Sequence, residues 1–248
     1  MNETRPMGIL QKSSAVVDLL ASHGPLSPAE IAERTGTPRA SVYRLLDALT
    51  AIGLTEALPT SQAKLSLRWL RLADAASLSM SEWAGADEIL HDLARHTGQT
   101  TFLSVPRPSE AVCIRWAQGS AIGVLILRPG RSLPLYAGAA GRLCLAYRVD
   151  VEDYLAQAPF PAFTPHTLVS AAALRQDIAA TRTRGYSISD EDVTEGIGAL
   201  GAAVVAPNGQ LAGAISLAGL AEDIQSQQEA LVEELHKAAT ALTTQFGG

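Results

Sequence analysis

Cysteine is nearly absent from this chain: Cys113 and Cys144 are the only two in 248 residues. Two thiols cannot build a disulfide framework or a zinc cluster. Both stand in apolar surroundings that suit buried small side chains better than redox chemistry. Histidine is scarce and scattered. His23, His91, His96, His166 and His236 fall in no metal-ligand spacing such as His-x-x-x-His. No stretch reaches the roughly 20 unbroken apolar residues that a membrane span needs. The amino terminus lacks the basic and apolar regions of a signal peptide, so a cytoplasmic protein is expected. Gly196-Ile197-Gly198-Ala199-Leu200-Gly201 lacks the following helix that a dinucleotide site requires. No Ser-His-Asp or Cys-His set can be assembled. The chain reads as a non-enzyme with no metal, no cofactor and no catalytic residue.

What is present is a folded chain, 47% hydrophobic, with a net charge of −6. That charge suits a nucleic-acid partner only when it is divided. Residues 1–68 carry seven Lys and Arg against six Asp and Glu, so the acid surplus falls entirely in residues 69–248. A near-neutral head can bind DNA if its cations share one face, with modest affinity per monomer and a need for several half-sites.

Residues 27 to 52 supply the clearest local grammar. Ser27 caps a helix, Pro28 fits its first turn, and Glu30 completes a capping box. Gly36 ends that helix in a left-handed conformation. Thr37 and Pro38 restart the chain by the same cap-plus-proline device, predicting a second helix. On that helix Val42, Leu45, Leu46 and Leu49 recur at core spacing, whereas Arg39, Ala40, Ser41, Tyr43 and Arg44 lie off the stripe near its amino-terminal end. A recognition helix presents that end to bases; arginine can read guanine with two hydrogen bonds, and serine or tyrosine can reach phosphate.

An apolar stripe over Ile9, Leu10, Ala15, Val16, Leu19 and Leu20 predicts a first helix covering the back of this pair. Leu54 to Leu58 and Ala63 to Leu67 read as a hairpin about Pro59-Thr60-Ser61-Gln62, the wing of a winged helix-turn-helix. Lys64 and Arg68 are candidate phosphate contacts there, with Ser27 and Thr37 joining the candidate DNA-facing set at the helix starts. Trp69 to Ser81 reads as a connecting helix, and Glu82 to His96 as another whose apolar side serves either a dimer interface or its own domain. The predicted domains are 1–68 for DNA binding, 69–81 as linker helix and 82–248 as the effector and oligomerisation domain.

Beyond Gly98 the pattern turns to strands. They are expected at 100–105, 111–116, 122–127, 186–189, 199–206 and 210–217, the last two joined by Asn208-Gly209, a strong hairpin signal. Helices are expected over 137–148, 151–157, 171–184 and 221–246. Asp190, Glu191, Asp192 and Glu195 read as a solvated acidic loop. The fold class is α+β: a winged helix-turn-helix joined by a linker helix to an antiparallel sheet flanked by helices.

Several segments, in order, resemble the IclR family of bacterial transcriptional regulators over nearly the full length. They are Leu26 to Gly36, Ser41 to Leu46, Leu133 to Arg142, Thr164 to Leu168, Arg184 to Glu191, Asn208-Gly209 and Ala214 to Gly219. The resemblance implies a winged-helix head, a GAF-like effector domain, and dimers that pair into tetramers on double-stranded, pseudo-palindromic operator DNA. It implies an effector pocket in which Ala140 and Gly141 open a helix and offer backbone N–H groups, with Ser216 as a hydrogen-bonding position. The aspartate, cysteine and serine of well-known members fall at Ser189, Ala199 and Ala218, with Asp190 one register step away. Trp116, Ile126 and Leu135 add apolar wall. A pocket of this make-up suits an aromatic or alkyl carboxylic acid. The alternative is a GAF-like sensor whose winged helix meets a protein instead of DNA.

Overall fold

The computed structural model describes residues 8–121 and 127–246. The chain divides into two compact units, residues 1–80 and 81–248. In the first, α1 (Gly8–His23), α2 (Pro28–Thr35) and α3 (Arg39–Ala51) precede β1 (Thr55–Ala57), β2 (Ala63–Leu65) and α4 (Arg68–Leu78). The start of α2 is a complete capping box. Glu30 N–H donates to Ser27 Oγ at 3.3 Å, and Ser27 N–H donates to Glu30 Oε2 at 2.8 Å. Those bonds satisfy two N–H groups that a helix start otherwise leaves open. Gly36 closes the helix at φ 63°, a left-handed conformation that a Cβ resists.

Val16, Leu20, Ile31, Val42, Leu45, Leu46 and Leu49 form the core of this unit. β1 and β2 pair antiparallel, Thr55 opposite Leu65, as a short wing. Two expectations fail here. Thr37 does not cap α3: Pro38 holds the N-cap position with no side-chain hydrogen bond, and Thr37 is itself buried. The amino-terminal half of the α1 stripe stays open among the described residues, for Ile9 and Leu10 are exposed and burial begins at Val16. The α4 helix is anchored at its start, where Trp69 Nε1 donates to Leu54 O at 2.8 Å. None of its residues is buried.

The second unit is built on a six-stranded sheet among the described residues, in the order β5-β4-β3-β8-β7-β6, with every neighbouring pair antiparallel. Its strands are β3 (Thr100–Pro106), β4 (Glu110–Ala117), β5 (Ser132–Pro134), β6 (Ser187–Asp190), β7 (Ile197–Val205) and β8 (Leu211–Leu220). Strand residues alternate between faces. One face packs on α5 (Ala86–Thr97) and α10 (Gln228–Phe246); Thr101 Oγ1 donates to Leu90 O across it at 2.9 Å. The other, with Ala111, Ala203 and Ala214, carries α6 (Ala139–Ala146), backed by α7 (Val151–Leu155) and α8 (Ala171–Arg184).

Three elements differ from expectation. The predicted helix from Glu82 begins as a 3₁₀ turn, Ser81–Trp83, because Gly85 restarts the chain for α5. The apolar side of that helix, Trp83, Leu90 and Leu93, is buried within its own unit. The closing helix breaks at Gln227 into α9 (Ala221–Ser226) and α10. β5 was not anticipated; three residues ending in proline suit a sheet edge and show no alternation to read. The strand expected at 122–127 lies almost wholly outside the described residues.

Candidate functional site

The head unit offers one polar surface of the expected kind. On α3, Arg39, Ala40, Tyr43 and Arg44 are exposed and Ser41 is half-buried. The opposite side of the helix holds Val42, Leu45, Leu46 and Leu49 in the core. Arg44 Nη2 donates to Ser41 Oγ at 3.5 Å. The helix has no side-chain cap, so its first N–H groups add to the cationic end. The other proposed contacts are engaged within the unit. Lys64 pairs with Glu56 at 3.2 Å. Arg68 donates to the carbonyl of Ile52 and lies against Gly53. Ser27 is held in its capping box and Thr37 is buried, which leaves neither hydroxyl open.

In the second unit the sequence-predicted pocket residues gather on the α6 face of the sheet. Sheet register sets Ser189 beside Ala199 and Ala199 beside Ala218. A second row runs from Ser187 through Gly201, Ser216 and Phe102 to Trp116. The first turn of α6 sits over Gly201: a Cβ there would lie 3.1 Å from Ala139 O and 2.6 Å from Ser187 Oγ. Ser187 Oγ also donates to Ala139 O at 2.7 Å. On its other side the helix presses on β5, where a Cβ on Gly141 would meet Pro134 O at 2.5 Å. Small residues are therefore obligatory where helix and sheet approach.

Within α6 the first backbone bond runs from Arg142 N–H to Gly138 O, at 3.0 Å. The N–H groups of Ala139, Ala140 and Gly141 have no partner among the described residues, although all three residues are buried. A buried helix end with unpaired donors is an anion-binding arrangement. Ser216, 4% exposed, adds a hydroxyl on the adjoining sheet row. The surroundings are apolar: Phe102, Cys113 and Ala218 form a cluster with Trp116, Leu127 and Ala199. Burial pushes the Cys113 thiol up to about 12, so it behaves as a small apolar group. The Arg128 guanidinium stacks 4.0 Å from the centre of the Trp116 ring.

Two candidates fall away from this set. Asp190 is exposed and accepts a hydrogen bond from Gln225 Nε2 at 3.0 Å, so period-2 alternation turns it away from Ser189 and towards α9. Leu135 is core, packed with Ala140 and Leu143. Ile126 lies outside the described residues.

Sequence reasoning missed a charged cluster directly behind the helix start. Asp192, taken above for a solvated loop residue, is 1% exposed. Its Oδ2 accepts from Gly138 N–H at 3.1 Å and from Arg142 Nη1 at 3.2 Å, and Ser189 Oγ donates to its Oδ1. Arg142 also grips Asp177 with two nitrogens, Nε to Oδ2 at 2.8 Å among them. Burial opposes the charge of Arg142, but Asp177 and Asp192 outweigh it and hold its pKa above the usual arginine value. Only the apolar setting of Arg142 in α6 could have flagged this, since its partners lie 35 and 50 residues away.

Comparison with known proteins decides the family. A family model described as IclR helix-turn-helix domain matches residues 9–59, and one described as Bacterial transcriptional regulator IclR C-terminal matches residues 78–244. The chain belongs to the IclR family. Among its relatives, the HTH-type transcriptional regulator KipR of Bacillus subtilis is 26% identical over 239 residues, covering 95% of this chain and 96% of that one. The transcriptional repressor IclR of Escherichia coli is 28% identical over 236 residues, covering 92% and 85%. Solved structures share the fold. An IclR homologue from Microbacterium hydrocarbonoxydans, crystallised with 4-hydroxybenzoate, superposes with a TM-score of 0.81 at 21% identity over 96% of this chain and 99% of that one. The helix-turn-helix and the regulator family are thereby settled; these relatives are regulators, not enzymes. Among the described residues no helix is long and apolar enough to cross a membrane.

Proposed function

We propose that this IclR-family regulator is a cytoplasmic protein that binds operator DNA through α3 and changes its grip when a small organic acid occupies the sheet face in front of α6. The observation that carries the effector half is the buried start of α6, whose three N–H groups have no partner among the described residues, beside the Ser216 hydroxyl. A carboxylate satisfies those donors and is favoured by the helix dipole. The body of the ligand then meets Phe102, Trp116, Ala199 and Ala218, which suits an aromatic or alkyl acid better than a two- or three-carbon keto-acid. Ser189, tied to Asp192, lines the floor. The Microbacterium relative's 4-hydroxybenzoate makes that acid the first probe.

For DNA, Arg39 and Arg44 carry the reading, with Ala40, Ser41 and Tyr43 beside them; Lys64 and Arg68 take a smaller part than the sequence suggests. A homodimer, or a dimer of dimers, is supported by apolar side chains left in solvent on α1 and α4: Ile9, Leu10, Leu70 and Leu78. Two recognition helices in successive major grooves sit about 34 Å apart, so the operator is pseudo-palindromic. The domain roles follow, with residues 1–68 on DNA, 69–81 as linker and 82–248 on effector and partner subunit.

The test is a gel shift on the DNA upstream of the protein's own gene, repeated with a panel of small acids. A retarded band that 4-hydroxybenzoate or an alkyl acid shifts supports both halves. Retardation unaffected by any acid, with tight calorimetric binding of glyoxylate or pyruvate alone, sinks the effector assignment. No retardation of any upstream fragment, with a protein retained on the head domain instead, sinks the DNA role.

A further inference from the structure

The unpartnered start of α6 does not stand alone: one residue behind it Asp192 places a buried carboxylate on Gly138 N–H, the position just before the three open donors. An anion bound in front of the helix and the Asp192 carboxylate share one helix turn, and like charges at that range repel strongly in a site shielded from water. Arg142, in the same turn, faces Asp192 at 3.2 Å and is 7% exposed. Its other partner, Asp177, is shared with Arg184 at 3.5 Å, so the cluster holds two charges of each sign. The loop that carries Asp192 is pinned as well: Thr167 Oγ1 donates to Asp192 O and Thr164 Oγ1 to Glu191 O, both at 2.7 Å.

We infer that Asp192 and Arg142 are positioning residues that set the charge preference of the effector site. Asp192 fixes Gly138, and with it the direction of the next three N–H groups; Arg142 balances the carboxylate that does so, leaving the site open to an anion. This rests on the effector reading above. A cluster that only holds the fold changes affinity for all ligands alike, whereas one that sets local charge changes the preference for an acid over its neutral amide.

The experiment is calorimetry of the full chain with two probes, 4-hydroxybenzoate and 4-hydroxybenzamide. The readout is the ratio of their affinities in the natural protein and in Asp192→Asn, Arg142→Gln and Arg142→Lys. Asp192→Asn keeps an acceptor for Gly138 N–H and removes a negative charge, so the ratio rises by about threefold to tenfold. Arg142→Gln leaves Asp192 unbalanced and lowers it by about tenfold or more, while Arg142→Lys, which keeps the charge, stays within about twofold of the natural protein. Should Arg142→Gln fail to fold, Asp192→Asn and Arg142→Lys still decide the matter. If the natural chain takes up the acid and the ratio is the same in the folded variants, this inference is overturned and the effector reading stands. If the natural chain takes up only the amide, or neither probe and no acid of the gel-shift panel, both are overturned; where an alkyl acid alone is taken up, that acid and its amide give the same ratio.

Discussion

Arg39 and Arg44 stand in solvent on α3, touching little of their own unit, while Arg142 on α6 is buried between Asp177 and Asp192. The same side chain does two different physical jobs. In the head, the guanidinium is held out on a helix whose opposite side is locked into a hydrophobic core, so its charge is available to a phosphate or a base edge. In the second unit it is enclosed, and it matters for the carboxylates it neutralises. A related contrast runs through the helix starts. α2 and α8 are capped by Ser27 and Ser170, whereas α3 and α6, like α4, α5, α7 and α9, have no side-chain cap; what sets α6 apart is that its uncapped start is buried.

If the contrast is right, removing a buried arginine and removing exposed ones give opposite phenotypes. Arg142→Met leaves the buried Asp192 without its ion-pair partner and Asp177 with Arg184 at 3.5 Å, which costs about 3–5 kcal/mol of folding stability. Urea unfolding followed by circular dichroism reads it, and a loss under about 1 kcal/mol would mean that water reaches the cluster. Arg39→Ala with Arg44→Ala changes stability by less than about 0.5 kcal/mol. It lowers operator affinity on the order of 100-fold and flattens the salt dependence, with effector binding untouched. Full operator affinity in that double variant would take the DNA role away from these residues.

Which features the sequence disclosed follows from the range of the interactions. The α2 capping box, the Gly36 stop, the core stripe of α3 and the Asn208-Gly209 turn are all set within a few residues, and each stands where local pattern put it. The pocket register was legible only to within one residue, until Gln225 claimed Asp190 and left Ser189 on the α6 face. Asp192 was misread because its immediate neighbours are acidic and polar, while its true environment comes from Gly138 and Arg142, some 50 residues upstream in the chain. Thr37 was misread for the opposite reason. A familiar cap residue beside proline was taken at face value, although packing had already enclosed it.

The capped and uncapped helix starts can be separated in the same way. Ser27→Ala removes one member of the box and costs about 1 kcal/mol, seen as a lower melting temperature of the head unit. A smaller effect comes from its partner. The Ser27 backbone N–H, then its hydroxyl, hold the Glu30 carboxyl below the usual glutamate range. A carboxyl whose pKa is depressed in the folded state stabilises that state above its unfolded value, near 4.5, and loses the contribution as pH falls through the folded value. Glu30→Gln abolishes that titration, so the stability difference between the natural protein and this variant should narrow steadily from pH 6 towards the acid side. Glu30 is half-buried, and salt and water still screen it, so the narrowing is the smallest of these effects. A difference that stays constant with pH would show that the carboxylate charge adds nothing to the capping box, and that only its geometry closes the start of α2.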